Sequence, residues 1–90
     1  MDLLLNPNKE PKSLHEHKTD SYTISELKEY LGGDVELIYL PIDKAYLIIN
    51  KKYQLSRLGY NEKATEFLQK NYPSRDSLIH GKAILTNKLN

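Results

Sequence analysis

The sequence predicts a small α+β domain, a mostly antiparallel sheet with two helices in the order β-α-β-β-(β)-α-β. Three observations carry that reading. Two segments repeat apolar residues at helical spacing, Ile24-Leu27-Tyr30-Leu31 and Ala64-Phe67-Leu68-Tyr72. Between them, residues 35–40 and 45–49 are rich in β-branched and aromatic side chains, and the turn Pro41-Ile42-Asp43-Lys44 that joins them is short enough for an antiparallel hairpin. Ninety residues leave room for one core, so 1–90 is read as a single domain.

In chain order, Asp2 to Leu5 is a first strand closed by Asn6-Pro7. Residues 8–20 are polar, with Pro11, His15 and His17, and read as a solvated loop. Thr23-Ile24-Ser25-Glu26 fits the capping box, in which the threonine hydroxyl takes the N3 amide and the glutamate reaches back. Gly32-Gly33 ends that helix, since glycine adopts the left-handed conformation without a Cβ clash. In the hairpin, Val35, Leu37 and Tyr39 point one way and Ile38 and Leu40 the other, so both faces are apolar. A sheet open to water would alternate more strictly. The second face is therefore expected to be covered, by the amino-terminal segment or by another copy of the chain. Residues 50–53 form a polar turn and 54–58 a short irregular strand ended by Gly59. Asn61 caps the second helix and Pro73 stops it. Residues 78–85 form the last strand, broken at His80-Gly81-Lys82, and 87–90 are expected to fray.

Composition excludes several classes. Thirteen Lys and Arg against twelve Asp and Glu give a net charge of +1. A duplex-binding protein carries a clear basic excess, so nucleic acid is not the expected partner. The absence of cysteine removes disulfides and thiolate metal sites. A chain this short buries only roughly 60–65% of its unfolded surface; with the two-sided apolar hairpin, this favours a homo-oligomer, a dimer first. The start of the chain lacks the basic and apolar regions of a signal peptide, and no stretch approaches the ~20 apolar residues of a membrane span. A cytosolic protein with no membrane association is expected.

Several constellations bear on chemistry. His15-Glu16-His17 offers metal-ligand types, but no third or fourth ligand follows in sequence, and no metal site is expected. His80 with Asp76 suggests acid–base work, yet a nucleophile and an oxyanion site cannot be named, and a glycine bulge at Gly81 accounts for the pattern. Gly32-Gly33 lacks the frame of a phosphate loop. Seven tyrosines beside one phenylalanine suit a binding surface; Tyr39 and Tyr46 are expected to pack on the sheet, Tyr53 and Tyr60 to be partly exposed. Lys51, Lys52, Arg57, Tyr60 and Lys63 are read as a cationic, aromatic-edged patch at the start of the second helix, where helix amides favour an anion.

The segment 21–85 resembles a family of small proteins of unknown function found in bacteriophages, plasmids and Bacteroidetes-type mobile elements. Three stretches carry the resemblance: Ile24 to Glu36 with its Gly32-Gly33; Ile48-Ile49-Asn50 through Leu55, then Leu58-Gly59-Tyr60-Asn61 to Ala64-Thr65; and Asp76 to Leu85. Asn50, Asn61 and Thr65 match the family's pattern directly. Lys51 stands where relatives carry an acidic residue and Tyr53 where they carry the hairpin glycine, so this turn differs in shape and reverses in charge. The resemblance implies a phage or mobile-element accessory protein. Together with the patch, it leads to the expectation of a non-enzymatic protein without cofactor, which sequesters a small anionic nucleotide-type signal to counter host defence. Asn50, Lys51, Arg57, Tyr60, Asn61, Lys63 and Thr65 are its candidate ligand-binding residues. The alternative is a protein–protein inhibitor of a host enzyme or defence factor.

Overall fold

A computed structural model of the chain describes residues 2–7, 10, 12, 13 and 23–87. His15-Glu16-His17, most of the predicted 8–20 loop and residues 88–90 lie outside the described residues. Among the described residues are five strands and two α-helices: β1 (Asp2–Leu5), β2 (Lys12–Ser13), α1 (Ile24–Leu31), β3 (Val35–Leu40), β4 (Ala45–Asn50), α2 (Glu62–Asn71) and β5 (Ala83–Thr86). The strands form one sheet in the order β2-β1-β5-β4-β3, with every neighbouring pair antiparallel. The last strand of the chain thus sits at the centre, between the first strand and the hairpin. This is the predicted α+β class, with two helices on a mostly antiparallel sheet.

Alternation along the two inner strands divides the core. Leu47 and Ile49 of β4 and Ala83 and Leu85 of β5 join Leu5, Ile38, Leu40, Ala64 and Leu68 in one buried cluster. Ile48 and Ile84, one residue out of phase, join Leu27 and Leu31 in another. Successive strand side chains point to opposite faces, so α2 covers one face and α1 the other. The chain's own helices thus sandwich β4, which is why it is apolar on both sides. The sequence predicts cover for that second face from the amino-terminal segment or a second copy; α1 covers its Ile48 and Val35 part, while Leu37 and Tyr39 of β3 stay exposed.

Local chemistry sets the helix ends. Thr23 Oγ1 accepts from Glu26 N at 3.2 Å and Glu26 Oε1 accepts from Thr23 N at 2.9 Å, the reciprocal bonds of the capping box. Gly32 closes α1 at φ 79°, its N–H donating to Lys28 O at 2.9 Å. A Cβ there meets nothing within 4 Å, so any cost of substitution is backbone strain alone. Gly32→Val is expected to lose more than about 1 kcal/mol, the cost of holding a branched L-residue in the left-handed region. Thermal melts check this; an unchanged Tm would show that the helix end relaxes freely.

Several local expectations are corrected. Residues 12 and 13 pair with Leu4 and Leu3 as a two-residue strand inside the predicted loop; backbone pairing at an edge leaves no apolar signature. The predicted strand at 54–58 is a 3-10 turn, Ser56–Leu58, closed by Leu58 N to Leu55 O and Gly59 N to Ser56 O at 3.0 Å each. The last strand is shorter than 78–85, because Ile79 directs its backbone to α2 instead of a neighbouring strand, donating to Thr65 Oγ1 at 2.9 Å and accepting from Asn61 N at 2.8 Å. Ile24 and Tyr30 of the predicted α1 stripe are exposed, while Leu27 and Leu31 are buried. Tyr53 is buried, with its carbonyl accepting from His80 N at 2.9 Å, and Tyr39 is 47% exposed on an edge strand beyond the reach of the eight-residue α1.

The end of α2 is fastened to the β3–β4 turn. Asn71 accepts from Ile42 N at 2.7 Å and donates to Asp43 Oδ2 and Phe67 O at 2.8 Å, while Lys70 meets Asp43 Oδ1 at 2.8 Å. Burial works to raise the Asp43 pKa, but the hydrogen bonds from Lys70 and Asn71 outweigh it and hold the carboxyl below its ordinary value. No helix among the described residues is long and apolar enough to cross a membrane.

Candidate functional site

The turn after β4 folds back over the end of α1. Asn50 directs this: its Nδ2 donates to Leu31 O at 2.9 Å, and its Oδ1 accepts from Lys52 N at 2.8 Å. The first bond satisfies one of the orphan carbonyls at the helix end; the second tightens the turn. Lys51 N donates to Asp34 O at 2.8 Å and extends the hairpin ladder by one pair. The 3-10 turn then brings Arg57 and Leu58 alongside.

These pieces enclose a cleft of about 670 Å³ walled by Gly32, Gly33 and Asp34 on one side and by Asn50, Leu55 and Leu58 on the other, with Lys51, Lys52 and Arg57 also lining it. A smaller recess of about 280 Å³ shares Gly32, Asn50 and Leu58 with it and adds Glu29, Tyr30 and Lys82 among others. The charge pattern sets this region apart. Lys63, Lys70 and Arg75 each face a carboxylate within 4.0 Å away from the cleft (Glu66, Asp43 and Glu36 respectively), and Lys28 pairs at 3.5 Å with Asp34 of the cleft wall. Among the described residues, Lys51, Lys52, Arg57 and Lys82 have no side-chain partner, and all four line these adjoining cavities. Lys44 is likewise unpaired but stands apart in the β3–β4 turn.

The predicted patch does not assemble as one site. Asn50, Lys51 and Arg57 come together in the cleft. Asn61 is fully buried; its Oδ1 accepts from Ala64 N at 3.1 Å, and its Nδ2 donates to Leu5 O at 2.9 Å and Gly81 O at 2.7 Å. Thr65 is buried beside it, donating to Asn61 O and accepting from Ile79 N at 2.9 Å each. Asn61 ties α2 to β1, and both side chains tie it to the segment before β5. The start of α2 is thus capped from within the core, and the cations gather instead beside the end of α1. Lys63 pairs with Glu66 at 3.7 Å and borders a different recess with Phe67 and Lys70. Tyr60 is exposed and sits edge-to-face with His80, their centroids 5.9 Å apart. The His80 Nδ1 lies 3.0 Å from Tyr53 O, within hydrogen-bonding distance for the tautomer protonated at Nδ1. Sequence reasoning missed the part of the lining formed by Lys82, Tyr30, Leu55 and Leu58. The signal that could have found Lys82 was Gly81 before it, which takes φ 92° and lies against the Leu58 side chain.

Among the described residues, no group of three or more His, Asp or Glu side chains is placed to hold a metal ion. No protein-family model matches the chain, and no similar protein was found among curated sequences or solved structures.

Proposed function

We propose that the protein is a binding module whose cleft takes a small, phosphate-bearing anion of nucleotide type. The observation that carries this reading is the convergence of unpaired cations on one walled cavity while the lysines and arginine on the helices and the far side of the sheet are matched with carboxylates. An anion entering the cleft meets Lys51, Lys52 and Arg57 over an apolar floor of Leu55 and Leu58. Each contact would be a charge-assisted hydrogen bond from an exposed side chain. The backbone amides of Gly32, Gly33, Lys51 and Lys52 are already used within the fold, so recognition falls to side chains. Tyr30 in the adjoining recess offers a ring on which a base can stack. Sequestration of a host signal by a phage or mobile-element protein is the biological setting that the family resemblance suggests, and it adds no residue to the site.

Calorimetry against cyclic dinucleotides and ADP-ribose derivatives tests the proposal. Each cation contributes about 1.5–3 kcal/mol to a charge-assisted bond, so Lys51→Ala with Arg57→Ala should weaken binding by about a hundredfold or more. Lys63→Ala should leave affinity unchanged, because its side chain belongs to another recess. Rising salt should weaken binding as the Debye length shrinks. Failure of the wild type to bind any member of the panel would sink the reading; equal binding by the double variant would move the site elsewhere.

A further inference from the structure

β3 lies at the edge of the sheet, where among the described residues the contacts from outside are those of the Tyr72 hydroxyl with Tyr39 O and of Arg75 with Glu36. The phase of its ladder follows from two bonds. Lys51 N donates to Asp34 O, so the pairs that exchange hydrogen bonds with β4 are Glu36–Ile49, Ile38–Leu47 and Leu40–Ala45. Val35, Leu37 and Tyr39 therefore turn their N–H and C=O groups outward. The hydroxyl of Tyr72 agrees with this phase, since it reaches the Tyr39 carbonyl from outside the sheet. Edge strands are ordinarily protected by lysine, proline, a bulge or a covering loop. Across Val35–Leu40 there is no lysine, proline or bulge, and the sole charge, Glu36, faces Arg75 at 3.9 Å. Beside the open backbone stand Leu37 and Tyr39, 40% and 47% exposed, the latter braced edge-to-face on Tyr46 with centroids 5.2 Å apart.

We infer that β3 pairs antiparallel with β3 of a second copy, about a two-fold axis at Leu37, to form a continuous sheet across a dimer. The register is selected by the sequence itself. Centred on Leu37, the pairing sets Leu37 against its own counterpart, Val35 against Tyr39 and Glu36 against Ile38. Every outward N–H and C=O of the three residues then has a partner, and the Tyr39 carbonyl, with two lone pairs, serves both Tyr72 and the other strand. A shift that centres the axis on Glu36 would set like charges directly opposite, which is destabilising. A shift to Ile38 would bring Pro41, which has no N–H, opposite Val35. The favoured register makes the apolar row self-complementary, the requirement of an isologous interface. This inference concerns the sheet edge and does not depend on what the cleft binds.

Sedimentation equilibrium from micromolar to millimolar concentration, combined with amide hydrogen exchange, tests it. The wild type should be dimeric, with the Leu37 amide protected although it has no partner within its own chain. Leu37→Lys and Leu37→Glu each place like charges at the axis and should yield monomers with unchanged far-UV circular dichroism. Mixing the two variants should restore a dimer, because the axis then joins opposite charges. A wild type that stays monomeric overturns the inference, as does a dimer in which the Leu37 amide exchanges freely or one that survives both substitutions. The exchange measurement on the wild type decides the matter even if a variant fails to fold.

Discussion

Replacing Asn61 with alanine is expected to destabilise the fold by about 3–7 kcal/mol, through a cap worth about 1 kcal/mol and two buried carbonyls that lose this donor at about 1–3 kcal/mol each. The three partners belong to three different parts of the molecule: Ala64 N in α2, Leu5 O at the end of β1, and Gly81 O before β5. One amide therefore holds the helix start against the sheet at two points. Asn61→Asp separates capping from bridging. It keeps the shape and the acceptor for Ala64 N, but it sets carboxylate oxygens against two carbonyl oxygens in a site without solvent contact. At neutral pH it should be at least as destabilising as alanine. Urea unfolding measures both, with the midpoint lowered and the slope unchanged. An aspartate variant as stable as the wild type would show that the bonds to Leu5 and Gly81 contribute nothing and that only the cap matters.

The same residue shows what was legible in the chain. Capping by Asn61, like the Thr23–Glu26 box, closes within three residues, so spacing alone reveals it. The bonds to Leu5 and Gly81 span 56 and 20 residues and are set by sheet order, which no local pattern encodes. Strand and helix stripes were readable because their apolar spacing is local. The burial of opposite β4 faces under two different helices was readable only as an excess of apolar residues, and its cause lay in topology. The candidate site suffered in the same way. Arg57, Asn61 and Lys63 are close in sequence, but Asn61 turns into the core and the chain on either side of it diverges, so Arg57 joins the cleft and Lys63 does not. Lys82 reaches the neighbouring recess from a distant segment through the turn at Gly81, whose φ is 92°.

Leu27→Ala is expected to cost about 2–5 kcal/mol, the range for a fully buried leucine that leaves a partly relaxed cavity, and to do so unevenly. Leu27 and Leu31 are the two α1 residues in a cluster whose other buried members are Ile48 and Ile84. An eight-residue helix is too short to persist alone, since isolated helices below about 12–15 residues are marginal in water. Once its main anchor is cut back, α1 should open without the sheet, as a local unit of low stability. That opening reaches the cleft. Gly32 and Gly33 leave its wall, and the Asn50 Nδ2 bond to Leu31 O is lost. Anion binding should therefore weaken although no cleft side chain has changed. Leu68→Ala on the other face provides the contrast: it removes a fully buried leucine under α2, with a similar global loss but no opening beside the cleft. Amide exchange resolves the two cases, with α1 amides exchanging far faster than those of β4 and β5 in the Leu27 variant and keeping pace with them in the Leu68 variant. If both variants lose stability equally, with α1 protection and cleft affinity intact, then α1 unfolds only with the whole domain and the cleft wall does not depend on its docking.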